Sequence, residues 1–283
     1  MYQGARPIES GMPALASARQ RASAHVTMSA AKIGERTQAM RVSEAGSLRV
    51  RFPNVAGRAL EAVLLNTAGG IACGDAFAVT VNVEHGASVV LTTPAAERVY
   101  RSDGETAEYS VQLWLQPETT TCWLPQETIL FDHARLRRRI EVDLLGGASL
   151  LIFEAVVFGR AARDETVNAG LLEDVWRIRR DGRLAYADTF RIAGDIAEQL
   201  RRPVVAGGAR ALATCLYIAP DAETRLDGAR ALLDDCTSEC GASAWNGLLS
   251  IRFLADDVKT LRRDALAFLT GFRGEPLPRV WHS

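Results

Sequence analysis

The sequence predicts a mainly β fold with few α-helices, built either from stacked β-helix-like units or from a meander of hairpins. Three observations lead there. First, Phe77, Val79, Val81 and Val83 alternate with Ala78, Thr80, Asn82 and Glu84, the period-2 pattern of a strand with one buried face. Second, three segments share one plan of strand, short turn and second apolar strand, with turns at Gly86-Ala87-Ser88, Pro117-Glu118-Thr119 and Gly147-Ala148-Ser149 that start 31 and then 30 residues apart. Third, a single amphipathic helix stands out near the C-terminus. A spacing of about 30 residues is what stacked units burying a shared core would give, although sequence identity between the units is slight.

The strands follow in order. Leu136, Ile140, Val142 and Leu144 alternate with Arg135, Arg137, Arg139, Glu141 and Asp143, and Arg138 alone interrupts the apolar side. Val89-Val90-Leu91, Cys122-Trp123-Leu124 and Leu150-Leu151-Ile152 supply the second strands of the three units. Leu171, Val175, Ile178 and Leu184 indicate further strands, and Leu249 to Phe253 alternates again. The C-terminal helix begins at Asp256 or Asp257, a good N-cap, and carries Val258, Leu261, Ala265, Leu266, Leu269 and Phe272 on one stripe, with Gly271 and Gly274 near its end. A shorter helix is expected around 227–236, and 194–202 is open to either reading.

The chain has 283 residues, 48% hydrophobic and 24% charged, and no apolar run approaches the roughly 20 residues of a membrane-spanning helix. Lys and Arg total 33 against 34 Asp and Glu, a formal net charge of −1 that creates no global field for nucleic acid or an anionic membrane. Five cysteines without a CxxC pair, and no apolar leader before them, point to reduced thiols and a cytoplasmic protein. Residues 1–24 are rich in Ala, Arg and Ser and read as a disordered or non-native tail, leaving 25–283 as one β-rich domain.

Catalytic signatures are missing. There is no GxSxG elbow, HExxH or Cys-His pattern, and only four histidines, scattered singly. Gly69-Gly70-Ile71-Ala72-Cys73-Gly74-Asp75 lacks the Lys-Ser/Thr end of a phosphate loop and runs into a strand, so it reads as a tight turn. Cys236 and Cys240 would share a face if helical, as buried thiols or a metal pair. What remains is a set of acidic residues beside apolar strands: Asp75, Glu97, Glu154 and Asp188. Glu154, inside Ile152-Phe153-Glu154-Ala155-Val156-Val157, is expected to be buried and so to need a partner, a proton, water or an ion. Arg98, Arg160 and Arg191 are its candidate ion-pair partners, and an acid–base pair of Glu154 with Asp188 would be the enzymatic reading.

Six segments carry a resemblance: Asn66-Thr67-Ala68-Gly69-Gly70 through Gly74-Asp75, Leu91 to Glu97 through Tyr100-Arg101-Ser102, Trp123 to Phe131, Phe158-Gly159-Arg160, Trp176 to Gly182, and Leu277-Pro278-Arg279-Val280-Trp281. Their order and number resemble the UreD (UreH) family of urease accessory proteins over about residues 25–283. The chain departs from the family pattern at Cys73 and His133, where Gly is common, and at Arg163-Asp164, where Met-Gly is usual. The resemblance implies the stacked β-helix-like option and a non-enzymatic scaffold that binds UreF, which recruits the nickel-carrying GTPase UreG, the assembly docking on apo-urease. It also implies no tightly bound cofactor and an internal hydrated tunnel for transient Ni²⁺. The carboxylates matching its lining are Asp75, Glu97, Glu154 and Asp188, with Thr93 nearby. A passive adaptor, with nickel moving by another route, is the alternative.

Overall fold

Alternating side chains fold the chain into two stacked sheets, the larger carrying a short two-stranded branch; the structure is a computed structural model that describes residues 21–282. In chain order the strands are β1 (Ser23–Ile33), β2 (Arg36–Ala45), β3 (Leu48–Arg51), β4 (Leu60–Asn66), β5 (Ala76–Val83), β6 (Ser88–Thr92), β7 (Glu97–Val99), β8 (Ala107–Leu115) and β9 (Thr120–Leu124). They continue as β10 (Thr128–Leu130), β11 (Arg135–Leu144), β12 (Ser149–Phe158), β13 (Ala169–Arg180), β14 (Arg183–Asp195), β15 (Ala211–Ile218), β16 (Glu239–Trp245) and β17 (Leu248–Ala255). The helices are α1 (Ile196–Arg201), α2 (Leu226–Leu233) and α3 (Val258–Arg273).

One sheet runs β14-β13-β11-β8-β5-β1-β2 and the other β16-β17-β15-β12-β9-β6-β4-β3. Successive turns of the chain alternate between them, so β5, β8, β11 and β13 stack in parallel in the first, and β6, β9 and β12 in the second. Strands β7 and β10 pair in parallel with each other, and β10 also with β12. This is the stacked option: Val79, Val111, Ile140 and Trp176 lie in register across four strands, as Leu91, Trp123 and Ile152 do on the facing sheet. Each unit covers an apolar face that it could not bury alone.

Two cores result. The first lies between the sheets and takes Leu150, Ile152, Val156 and Phe158 of β12; the second lies outside the larger sheet and takes Leu151, Phe153, Ala155 and Val157 of the same strand. Burial on both faces explains why β12 reads as a continuous apolar run. Helix α3 covers the outer core. Asp257 caps it by accepting from Lys259 N (2.7 Å) and Thr260 N (2.9 Å), and Gly274 ends it at φ 67°. Its buried face is Leu261, Ala265, Phe268, Leu269 and Phe272; Leu266 is only partly buried, and Phe268, absent from the stripe read in the sequence, is at its centre.

Other expectations resolve locally. In the 194–202 segment Gly194 and Asp195 end β14 and Ile196–Arg201 form α1, and the 227–236 segment gives α2, which ends at Leu233. Cys236 follows that helix and Cys240 belongs to β16, so the two thiols do not share a helical face. The tail expected over 1–24 lies outside the described residues as far as residue 20, while Ser23 and Ala24 already belong to β1. Among the described residues no helix is long and apolar enough to cross a membrane.

Candidate functional site

Strand alternation sends a few charged side chains into the inter-sheet core. On β11, Arg138 shares a face with Leu136 and Ile140; on β12, Glu154 shares one with Ile152 and Val156; on β13, Asp174 shares one with Leu172 and Trp176. Register then places Arg138 between Tyr109 and Asp174, and Glu154 beside Thr214. Arg138 is 3% exposed, Glu154 4% and Asp174 9%.

The guanidinium of Arg138 forks onto Asp174, with Nε 3.0 Å from Oδ1 and Nη2 2.5 Å from Oδ2. Its Nη1 donates across the core to Glu154 Oε2 and lies 3.4 Å from Thr128 Oγ1. Trp123 Nε1 donates to the other oxygen of Glu154 at 2.7 Å, and Trp176 Nε1 donates to Asp174 Oδ1 at 3.1 Å. Buried charges persist only with such partners. Desolvation opposes the charge on Arg138, but Asp174 and Glu154 outweigh it and its pKa is raised. Burial pushes Glu154 up to about 7, with Arg138 and Trp123 pulling it back.

Two small cavities meet at this pair. One, of about 30 Å³, is lined by Thr93, Glu97, Tyr109, Gln126 and Thr128 together with Arg138 and Glu154. The other, of about 20 Å³, is lined by Asp174, Asp188, Thr214 and Arg252, again with Arg138 and Glu154. Each has room for a water molecule or a bare ion, not for a fully hydrated one. The first ends at half-buried Thr93 and Glu97, and the second at partly exposed Asp188 and Arg252.

Glu97 is held by Asn66, whose Nδ2 lies 3.2 Å from Oε1 and 2.9 Å from the Gly70 carbonyl, so one amide closes the 66–70 turn and orients the carboxylate. Burial pushes Glu97 up to about 7 against that hydrogen bond. Thr93 Oγ1 accepts from Gln126 N at 2.8 Å. Asp188 accepts from Arg252, and from the Tyr186 hydroxyl at 3.2 Å.

Asp75 stands apart. Its oxygens accept from Ala22 N and Ala72 N, both at 2.8 Å, which ties the glycine turn to the entry of β1, and it lines neither cavity. Three of the four sequence-selected carboxylates therefore share one layer, with Thr93. The partner of Glu154 is Arg138, since Arg160 pairs with Glu165 at 2.8 Å and Arg191 with Glu173 at 3.3 Å. Asp174 and Arg252 were missed; Asp174 carried the same signal as Arg138, a charge on the apolar side of an alternating strand. With Glu154 buried in an ion pair, Glu154 and Asp188 do not face an open groove as a glycosidase pair must. Among the described residues no three of His, Cys, Asp and Glu group closely enough to hold a metal ion.

The UreD urease accessory protein family model matches residues 20–282. The urease accessory protein UreD of Azorhizobium caulinodans is 57% identical over 263 residues, covering 93% of this chain and 97% of the relative. That of Xanthobacter autotrophicus is 54% identical over 274 residues, covering 95% and 94%.

Proposed function

Because the chain belongs to the UreD urease accessory protein family, we propose that it is a non-catalytic scaffold that links UreF and the nickel-carrying GTPase UreG to apo-urease in the cytoplasm and conducts Ni²⁺ through the layer between its sheets. The observation that supports conduction is that Thr93, Glu97, Glu154 and Asp188 line two small cavities between the sheets that share Arg138 and Glu154. Carboxylates and water bind Ni²⁺ less tightly than His and Cys and exchange it more readily. Spaced acidic groups replace lost hydration without trapping the ion, as a pore requires. Nucleotide hydrolysis then belongs to the partner.

The test pairs two measurements on Glu97→Gln and Asp188→Asn, which replace carboxylates near the two ends of the path. Asp188 pairs with Arg252 at a partly solvated site, so its loss costs little stability. Both variants should assemble normally with UreF and UreG, and urease matured in the same cells should carry severalfold less nickel per active site. Intact assemblies that load urease fully would replace the conduit with a passive adaptor.

A further inference from the structure

We infer that Arg138 is the gate of the proposed conduit: a resident guanidinium cation, bound where the two cavities meet, that a nickel ion must displace to pass. The inference rests on the conduction reading above and adds to it a closed state and a moving part.

Position comes first. Arg138 and Glu154 line both cavities, so among the described residues the side chains common to the two are the members of one ion pair. Glu154 reaches in from one sheet, while Arg138 and Asp174 come from the other, so the pair spans the core and closes it. At about 20 and 30 Å³ the cavities admit an ion only after it sheds most of its water. Replacement ligands are then needed at the junction, and the two carboxylates there are the ones the guanidinium occupies.

Charge makes the same point. Glu154, Asp174 and Arg138 ionised together carry one net negative charge. A dication added beside the guanidinium turns this into one net positive charge in a poorly solvated layer, which is costly. Exchange of the guanidinium for the dication leaves the junction neutral. A small rotation is enough to release the two carboxylates: Nη1 already lies 3.4 Å from Thr128 Oγ1, and the same cavity presents Tyr109 and the carboxylate of Glu97, so the group shifts toward them without the cavity having to hold all of it. Strand register pairs Thr128 with Glu97, so hydroxyl and carboxylate are neighbours on the receiving side. Arg138 closed on Glu154 and Asp174, or swung toward Thr128 and Glu97, keeps a counter-charge in both positions.

The experiment uses the full chain co-expressed with UreF and nickel chloride as probe. Equilibrium dialysis should find one more Ni²⁺ per chain in Arg138→Met than in the wild type, and Ni²⁺ should raise the melting temperature of the variant but not of the wild type. Glu154→Gln added to Arg138→Met should abolish the extra ion. A folded Arg138→Met that binds no more nickel than the wild type overturns the gate. If that variant does not fold, Arg138→Gln, which keeps an amide donor for the two carboxylates but no positive charge, is measured instead, and the same absence of an extra ion overturns the gate. Failure of the conduit is read separately, from urease loading by Glu97→Gln and Asp188→Asn, both of which keep Arg138.

Discussion

Arg138 and Asp174 stand opposite each other on neighbouring parallel strands, and two hydrogen bonds of 3.0 and 2.5 Å fork the guanidinium onto the carboxylate inside the core. The facing sheet completes the arrangement with Glu154, itself fixed by Trp123 at 2.7 Å. Trp123 and Trp176, from two of the family segments, thus donate to the two carboxylates that hold this one cation.

Removing Asp174 should be costly, because Arg138 would keep a single anionic partner in a dry layer. Asp174→Ala is expected to lose about 3 to 5 kcal/mol, the range for a broken buried pair. Thermal unfolding against the wild type measures it, and a melting temperature unchanged within error would mean that water reaches Arg138 freely.

Helix α3 gives a sharper contrast. Phe268 is fully buried and meets Phe253 edge-on at 5.7 Å between ring centroids, whereas Leu266 is only partly covered. Phe268→Ala should cost about 3 to 5 kcal/mol and Leu266→Ala less than about 2 kcal/mol. Chemical denaturation of the two variants checks the order, and a reversal would mean that the helix is rotated on the sheet.

Much of this architecture was legible because period-2 alternation dictates which side of a strand is buried, and β5, β11 and β17 all carry it. The six motifs identified the family correctly over nearly the whole chain. What alternation cannot give is depth along the third dimension. Arg138 was visible as an interruption of the apolar side of its strand, yet nothing local said that it faced Glu154, which lies in the opposite sheet. The stripe of α3 failed at Phe268 for a related reason: neighbouring apolar residues compete for one face, and only the sheet beneath decides which is covered. The family motifs were read as strings, and their contacts are tertiary, as when Trp281 Nε1 donates to the Leu124 carbonyl at 3.1 Å.

Departures from the family pattern also acquire reasons. Positive φ in the glycine turn falls on Gly69 (79°) and Gly74 (77°), so Cys73 fits without strain and donates to Asp103 at 2.9 Å. His133 (64°) and Asp164 (48°), by contrast, occupy left-handed backbone where the family favours Gly. His133→Gly should therefore raise stability by up to about 1 kcal/mol, the relief of αL strain less the entropy glycine loses on folding. Differential scanning calorimetry measures the change, and a drop in melting temperature would show that the imidazole contributes more than its backbone costs.

Acid sensitivity should concentrate at Asp264. This residue of α3 is 3% exposed, and its Oδ2 accepts from Thr237 N at 3.0 Å, Ser238 N at 2.7 Å and Ser238 Oγ at 2.7 Å, while Arg263 Nη2 lies 2.8 Å from Oδ1. Burial pushes the carboxyl up, but the Ser238 hydrogen bonds and Arg263 outweigh it and hold the pKa below 3.8. A depressed folded value means that the unfolded chain takes up the proton first. The stabilisation is complete above the unfolded value of 3.8 and is lost as pH falls through the lower folded value. Asp264→Asn keeps one acceptor oxygen for the Thr237–Ser238 loop but gives up the charge, so near neutral pH it should cost about 1 to 3 kcal/mol. Below the folded pKa the wild-type carboxyl is neutral too, and the two proteins should converge. Urea midpoints measured near neutral pH and then at steps downward through pH 3.8 test this, the gap narrowing as the pH falls. A gap that stays constant across the range would place the contribution of Asp264 in packing and hydrogen-bond geometry instead of in its charge.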